Sequence, residues 1–162
     1  MKRSVKIILL VTAVVVVFVG HSKTDTGLYD VVEVYDGDTI AINMAGRTEK
    51  VRLIGVDTPE TKDPRKPVQC YGPEASAYSH TKLHNAKVRL VADPLSTNRD
   101  RYDRLLRYVY LADGTFYNLD LLQSGNARAY TGFLFSKSTE FTRTEQNSKI
   151  NKNGLWQNCS EA

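Results

Sequence analysis

Two short runs of β-branched and aromatic residues open the folded part of the chain, at 31–35 and 39–42. The residues between them read Asp-Gly-Asp, and Asp-Gly between two such runs signals a tight turn. A second turn is expected at 43–46 and a third strand over 50–56. These three strands predict an antiparallel meander.

Helical patterns appear in three places. A helix is expected to begin at Gly72-Pro73, because proline followed by an acidic residue suits the first helical turn. A short helix is predicted over 118–123 with Asn118 as its cap. A third, very polar helix is predicted over 136–151 and is expected to be a solvated face.

Two further strands, at 88–91 and 105–111, bring the expected number of strands to five. Five short strands must hide their edges from other chains, and closing them into a small barrel does so. The predicted fold class is therefore a β-barrel plus α: a five-stranded OB-fold barrel with three helices.

The N-terminal segment differs from the rest of the chain. A basic start is followed by an apolar run at 7–19, whose length suits the central region of a signal peptide. A membrane-spanning helix usually needs about 20 residues, but no clean cleavage site follows the run. We therefore divide the chain into 1–26, a signal peptide or N-terminal membrane anchor with a short polar linker, and 27–162, one folded domain. Either alternative implies an exported protein, secreted or periplasmic, and the second adds membrane anchoring through residues 7–19.

Composition and charge narrow the class of protein. A chain of 162 residues with 41% hydrophobic and 25% charged residues has an ordinary globular composition. The formal net charge is +4, but the first twenty residues contribute three basic and no acidic side chains, and the rest is almost balanced. The folded part is therefore not a protein that coats nucleic acid by overall charge, and any such binding needs a local basic patch.

Cys70 and Cys159 are the chain's two cysteines. Neither has the neighbouring partners of a metal ligand or a catalytic nucleophile. Outside the cytoplasm a lone pair of cysteines usually forms a disulfide. We expect a Cys70–Cys159 bridge that fastens the C-terminus to the middle of the domain.

A group of acidic and basic side chains stands near the ends of the predicted strands. Asp38 follows the first turn, and Asp57 and Glu60 follow the third strand. Arg52 lies within that strand, and Arg104 stands at the head of the fifth. Each has an ordinary explanation as a turn or surface charge, although Arg52 in an apolar strand is unusual, since charges are seldom buried unpaired.

Together these residues suit phosphodiester hydrolysis. Asp38 and Asp57 repel one another unless a cation lies between them, and a purely oxygen ligand set favours Ca²⁺ or Mg²⁺ over zinc. The carbonyl of Thr58 can complete the ligand shell, and Glu60 can orient or deprotonate a nearby water. Two guanidiniums offer paired donors to phosphate oxygens and stabilise charge on five-coordinate phosphorus.

Four sequence blocks resemble the staphylococcal nuclease (thermonuclease) family. They are VYDGDT at 34–39, RLIGVDTPETK at 52–62, YGPEASA at 71–77 and DRYDR at 100–104. In order and spacing, the resemblance extends over about residues 31 to 156. It implies an OB-type barrel with three helices that cleaves DNA and RNA with one Ca²⁺ ion and leaves 3′-phosphates.

The resemblance also implies roles for individual residues. It assigns Asp38 and Asp57 as metal carboxylates and Thr58 as the carbonyl ligand. Arg52 and Arg104 match phosphate-binding arginines, and Glu60 matches the acid to which the general-base role is given. The positions that match contacts to nucleotide phosphates and base are Lys66, Arg101, Tyr102 and Tyr130. Stacking a base on a tyrosine ring would also suit an enzyme with little sequence preference.

Two departures from the family pattern lie close to these positions. Asp103 stands where the family often has glycine, and Gly132 stands where a second tyrosine of the nucleotide pocket is expected. The main hypothesis is an exported, monomeric, calcium-dependent nuclease without a stable protein partner. The alternatives are a non-catalytic nucleic-acid-binding barrel, which is expected to lose the acids or arginines, and a surface adhesion module.

Overall fold

The computed structural model describes residues 27–62, 64 and 67–160. The predicted signal peptide or anchor lies outside these residues, and so does Lys66. Within the part of the chain that is described, no helix is long and apolar enough to cross a membrane.

The described residues contain seven strands and four helices. The strands are β1 Leu28–Val34, β2 Thr39–Met44, β3 Arg47–Leu53, β4 Val56–Asp57, β5 Lys87–Val91, β6 Leu105–Leu111 and β7 Arg128–Ala129. The helices are α1 Gly72–Leu83, α2 Tyr117–Gln123, α3 Ser138–Ile150 and α4 Leu155–Asn158. Three of the helices have seven residues or more, and the short α4 was not predicted.

Five strands close into a barrel in the order β1-β2-β3-β6-β5. All neighbours are antiparallel except β3 and β6, which run parallel, and the pairing of β5 with β1 closes the barrel. The predicted meander of the first three strands and the predicted OB-type barrel are confirmed. The β2–β3 hairpin turns at Ala45-Gly46, where both residues have positive φ, as a tight hairpin of this length requires.

The hydrophobic core fills the barrel and continues beneath the helices. Ile40 and Ile42 of β2 and Leu53 of β3 are fully or almost fully buried in it, together with Leu121 of α2 and Phe141 of α3. Burial of such side chains stabilises the folded state by about 1.5–3 kcal/mol each. The core therefore fixes the ends of β2 and β3, and those ends carry the candidate chemistry.

Asn118 does not cap α2, contrary to the prediction. The helix begins at Tyr117, and Asn118 is fully buried within its first turn. Its side-chain oxygen accepts a hydrogen bond from the Val109 N–H (2.8 Å), and its amide donates to the Ile54 carbonyl (2.9 Å). Buried backbone groups need partners, and this asparagine supplies two of them.

The third strand has the predicted length of seven residues but lies three residues earlier in the chain than the predicted 50–56. It ends at Leu53, and the chain turns at Gly55, whose φ is 74°. A Cβ at this glycine would lie 2.7 Å from the Phe135 ring, so no larger residue fits. After the turn, β4 pairs with β7, which sets Asp57 opposite Arg128.

Helix α3 is not only a solvated face. Phe141, Glu145 and Ser148 are buried along one side of it. The Glu145 carboxylate accepts the Ala129 N–H at 3.0 Å and so ties α3 to β7. The sequence did not predict this buried side of α3, because two of its three buried residues are polar.

Cys70 and Cys159 form the expected disulfide. Their Cα atoms lie 6.0 Å apart, and the bridge spans 89 residues. In the chain-entropy model a loop of this length stabilises the fold by at most about 4–5 kcal/mol. The bridge holds the end of α4 against the segment that precedes α1.

Asp93 connects the end of β5 to β6 and to the start of α3. Its buried carboxylate accepts hydrogen bonds from the Tyr108 hydroxyl (2.7 Å), the Ser136 N–H (2.9 Å) and hydroxyl, and the Leu95 N–H (2.8 Å). Burial alone would raise the pKa of Asp93, but the hydrogen bonds from Ser136 and Tyr108 outweigh burial and lower the pKa to about 2.

Asp93→Asn is expected to destabilise the fold by about 2 kcal/mol at pH 7. Because the folded-state pKa is depressed, ionised Asp93 stabilises the fold above the unfolded value of 3.8, and this contribution is lost as the pH falls towards 2. Urea unfolding from pH 7 to pH 2 should show the difference from the parent shrinking below about pH 4. The exposed Asp103→Asn is the control. A difference that stays constant down to pH 2 would contradict this account.

Candidate active site

One cleft of about 880 Å³ opens beside the ends of β2, β3 and β6. Its walls include every predicted catalytic, metal-binding and substrate-binding residue that the structure describes: Asp38, Arg52, Asp57, Thr58, Glu60, Arg101, Tyr102, Arg104 and Tyr130. The barrel brings them together from the first turn, the segment after β3, the loop before β6 and the loop after β7. The roles assigned to these residues stay predictions.

Asp38 and Asp57 converge on one nitrogen of Arg52. The Nη2 atom lies 3.1 Å from Asp38 Oδ2 and 3.2 Å from Asp57 Oδ1. The other terminal nitrogen, Nη1, donates to the carbonyls of Leu53 and Val56 at 2.9 and 2.6 Å. A guanidinium with four acceptors around it is held in one orientation. Arg52 is therefore not an unpaired charge, although it lies in an apolar strand.

Thr58 also holds the Asp38 carboxylate in place. Asp38 Oδ2 accepts hydrogen bonds from the Thr58 N–H (2.9 Å) and hydroxyl (3.2 Å). Gly37 makes this approach possible, because a Cβ there would lie 2.4 Å from Thr58 Cγ2. The Asp-Gly-Asp sequence therefore forms a turn and also places the buried Asp38 carboxylate.

Arg104 is oriented by Asp100. Its Nε and Nη2 atoms both lie 2.7 Å from Asp100 Oδ2, and Asp100 Oδ1 accepts the Arg104 N–H at 3.0 Å. Burial opposes ionisation of Asp100, but its hydrogen bonds with Arg104 outweigh burial and lower the pKa of this carboxyl. Arg104 Nη1 also approaches the Thr39 hydroxyl (3.4 Å), which donates to Asp38 (3.0 Å). A continuous polar network therefore joins the two guanidiniums.

Glu60 is held by the loop that follows it. Its Oε1 atom accepts the N–H groups of Thr61 and Lys62 at 2.9 and 2.8 Å. The Glu60 N–H and carbonyl in turn bond to the side-chain oxygen and the N–H of Gln69, both at 2.9 Å. These bonds fix the shape of a loop that has no regular secondary structure, and Glu60 lines the cleft from this loop.

Two exposed aromatic rings line the cleft. Tyr102 is 63% exposed, and the Arg101 guanidinium lies over its ring while donating to its hydroxyl at 2.7 Å. Tyr130 is 47% exposed, and its ring packs against Gly132, where a Cβ would lie 3.0 Å from the ring. The glycine in place of a second tyrosine therefore lets Tyr130 lie close to the backbone.

Asp103, the other departure, is not one of the residues that line the cleft. Its backbone adopts φ 62°, a left-handed conformation that aspartate tolerates better than most residues. Its carboxylate lies 3.6 Å from Arg99 Nε.

Sequence reasoning gave no role to three residues that shape the cleft. Asp100 and Thr39 orient the arginine and the buried carboxylate, and Asp36 is a further acid on the wall, beside Asp38. Burial and then the charge of Asp38 raise the pKa of Asp36 to about 6. For Asp100 the sequence offered one signal of this role. It lies four positions before Arg104, a separation that allows an ion pair across a tight loop.

The oxygen donors around Asp38 fit a hard divalent cation. Asp38 and Asp57 already share one positive group, and no nitrogen or sulfur ligand stands among the described residues of the cleft wall. No three His, Cys, Asp or Glu side chains of the described residues form a metal cage by themselves. Carboxylate, carbonyl and water oxygens are hard ligands, which Ca²⁺ and Mg²⁺ accept more readily than zinc does.

A closed barrel with carboxylates and two arginines in one cleft suits a hydrolase that acts on phosphodiesters. The family model for staphylococcal nuclease homologues matches residues 50–158. With the barrel and the cleft, this match shows that the chain belongs to the staphylococcal nuclease homologue family and is a hydrolase of the nuclease class.

Three curated relatives show how far the similarity extends. The chain is 41% identical over 142 residues to a thermonuclease of Staphylococcus hyicus, covering 86% of this chain and 81% of that protein. It is 50% identical over 101 residues to a thermonuclease of Staphylococcus intermedius, covering 62% of this chain and 58% of that protein. It is 37% identical over 142 residues to endonuclease YncB of Bacillus subtilis, covering 84% of this chain and 65% of that protein. The matches therefore span less than two thirds of the second and third relatives' own length.

Proposed function

We propose that this protein is a calcium-dependent nuclease that hydrolyses phosphodiester bonds of DNA and RNA with little sequence preference and leaves 3′-phosphate ends. The observation that carries the proposal is the convergence of Asp38 and Asp57 on Arg52, with Glu60 and Arg104 on the walls of the same cleft. The alternative of a non-catalytic binding barrel has no support, since none of these residues has been lost.

Asp38, Asp57 and the Thr58 carbonyl would hold the ion. When bound, Ca²⁺ supplies positive charge beside the scissile phosphate and favours the charge that builds up on phosphorus. The donor set accounts for calcium rather than a softer metal, because carboxylate and carbonyl oxygens are hard ligands.

The side chains of the cleft carry out the remaining steps. Arg104 donates to the phosphate oxygens, while Arg52 adds a fixed positive charge whose position its four acceptors determine. Glu60 takes a proton from a water whose oxygen bonds to phosphorus. The bond from phosphorus to the 5′-oxygen breaks, and that oxygen takes up a proton, so the products are a 3′-phosphate and a 5′-hydroxyl.

Exposed rings explain the lack of sequence preference. Tyr102 and Tyr130 can each stack on any base, and stacking is worth about 1–3 kcal/mol whichever base is present. Arg101, beside Tyr102, and Lys66, which lies outside the described residues, complete the proposed contacts to nucleotide phosphates.

Hydrolysis of labelled DNA and RNA oligonucleotides tests this function. Cleavage of both is expected with Ca²⁺, loss of cleavage with a chelator, and recovery when Ca²⁺ is restored. Cleavage that persists in the chelator would contradict the metal requirement. Failure to cleave either polymer under any condition would contradict the function itself.

We also propose that the protein is exported through residues 1–26 and acts as a monomer. The basic start and apolar run of that segment support export, and the disulfide agrees with an oxidising compartment. Fractionation of the producing cells tests this, with the protein expected outside the cytoplasm. A protein that stays in the cytoplasm would contradict export. Elution from a gel-filtration column at the mass of a dimer would contradict the monomeric state.

A further inference from the structure

A second groove, of about 540 Å³, lies between the loop that follows β7 and helix α3. Phe133 and Leu134 line both this groove and the catalytic cleft. The two cavities therefore meet along the same short loop. The rest of the groove wall includes Ser138, Thr142 and Arg143 from α3.

Large apolar side chains exposed to solvent are concentrated beside this junction. Leu134 is 79% exposed and Leu95 is 61% exposed, and both line the cleft with the two exposed tyrosines, Tyr102 and Tyr130. A cluster of exposed apolar side chains on a groove is typical of a binding surface, whereas single ones scattered over a surface need no explanation. These four side chains are where unstacked bases could pack.

The charge of the second groove favours a polyanion. Arg143 is exposed and has no ion pair with any described residue, and no carboxylate of the described residues lines the groove. The remaining polar groups on its wall are the neutral hydroxyls of serine and threonine. Apolar contacts beside an unpaired guanidinium suit single-stranded nucleic acid, whose bases stack and whose phosphates seek cations.

We propose that the substrate strand runs from the catalytic cleft across Leu134 into this second groove, where Arg143 pairs with a backbone phosphate. The proposal rests on the proposed nuclease function and extends it to nucleotides beyond the scissile bond. The strand in the groove is single, because bases paired in a duplex are stacked on one another and cannot pack on Leu134. The enzyme therefore gains affinity as a single strand becomes long enough to reach Arg143.

A length series of single-stranded oligonucleotides, from a dinucleotide upwards, tests the proposal in the parent protein and its variants. The parent should show a KM that falls as the strand lengthens. Arg143→Ala and Leu134→Ser should each raise the KM for the long strands by about 5–10-fold, with the effect on KM and not on kcat. Arg143→Ala should also reduce the slope of log KM against log salt concentration by about 0.7, the value for one phosphate contact in a single strand.

Two matched variants serve as controls. Arg47→Ala removes an equally charged, exposed side chain that lines neither cavity, and Ile150→Ser removes an apolar side chain that is 77% exposed elsewhere. Both should keep the parent's dependence on length. If Arg143→Ala behaves like Arg47→Ala, the groove holds no strand and the proposal is overturned. That outcome differs from failure of the nuclease function, in which the parent would cleave neither the dinucleotide nor the long strands.

Discussion

Replacing Arg104 with alanine is expected to lower kcat by at least about 100-fold, the usual scale for one lost electrostatic group. The side chain is held in one orientation by Asp100 and lies against the Thr39 hydroxyl that contacts Asp38. It therefore presents its charge at a set position without reorganising during the reaction. Initial rates on one fluorescent oligonucleotide, at saturating Ca²⁺, measure the effect.

Two further variants separate charge from geometry at this position. Arg104→Lys keeps the positive charge but loses the planar fork of donors, so its rate should fall between those of the parent and Arg104→Ala. Arg47→Ala, on the β2–β3 hairpin, should leave kcat unchanged. Because Arg104→Ala leaves Asp100 without its cation, its unfolding must be measured in parallel. A folded Arg104→Ala protein with kcat within about threefold of the parent would contradict the role assigned here.

Glu60→Gln is expected to reduce kcat by at least about 100-fold, since the side chain loses its ability to accept a proton from water. Glutamine keeps an oxygen that can still accept the N–H groups of Thr61 and Lys62, so the loop should hold its shape. The change therefore isolates the chemistry of the carboxylate. The pH–rate profile should also lose the limb that reports ionisation of this group.

Glu74→Gln is the matched control for this substitution, because Glu74 is an exposed acid in the first turn of α1, outside the cleft wall. It should leave both kcat and the pH–rate profile unchanged. An active Glu60→Gln enzyme with an unaltered profile would show that another group accepts the proton.

The parts of the fold that could be predicted are those with local signals. The turns at 36–38 and 43–46 have residues that suit tight turns, and the strands beside them have β-rich runs of normal length. The two-residue strands β4 and β7 have no such signal, because a periodic pattern needs more residues than they contain. Their pairing nevertheless sets the position of Asp57 and brings the Tyr130 loop to the cleft.

The same distinction applies to the candidate site. The four sequence blocks predicted which charged residues to examine, but not the contacts between blocks. Thr39 joins Arg104 to Asp38 across 65 residues of chain, and only the closed barrel brings them together. Asn118 illustrates the opposite error: its position near a helix start suggested a cap, whereas the core needed a partner for two buried backbone groups.

Calorimetric titration with Ca²⁺ in the presence of a nucleotide bisphosphate tests the central claim most directly, with Asp57→Asn compared against Asp30→Asn. The pair is matched, because Asp57 and Asp30 have side chains that are 58% and 59% exposed, and both form ion pairs, Asp57 with Arg52 and Asp30 with Lys87. The account predicts one bound ion in the parent and in Asp30→Asn, and at least about a tenfold weaker affinity in Asp57→Asn. Equal affinity in all three proteins would contradict it.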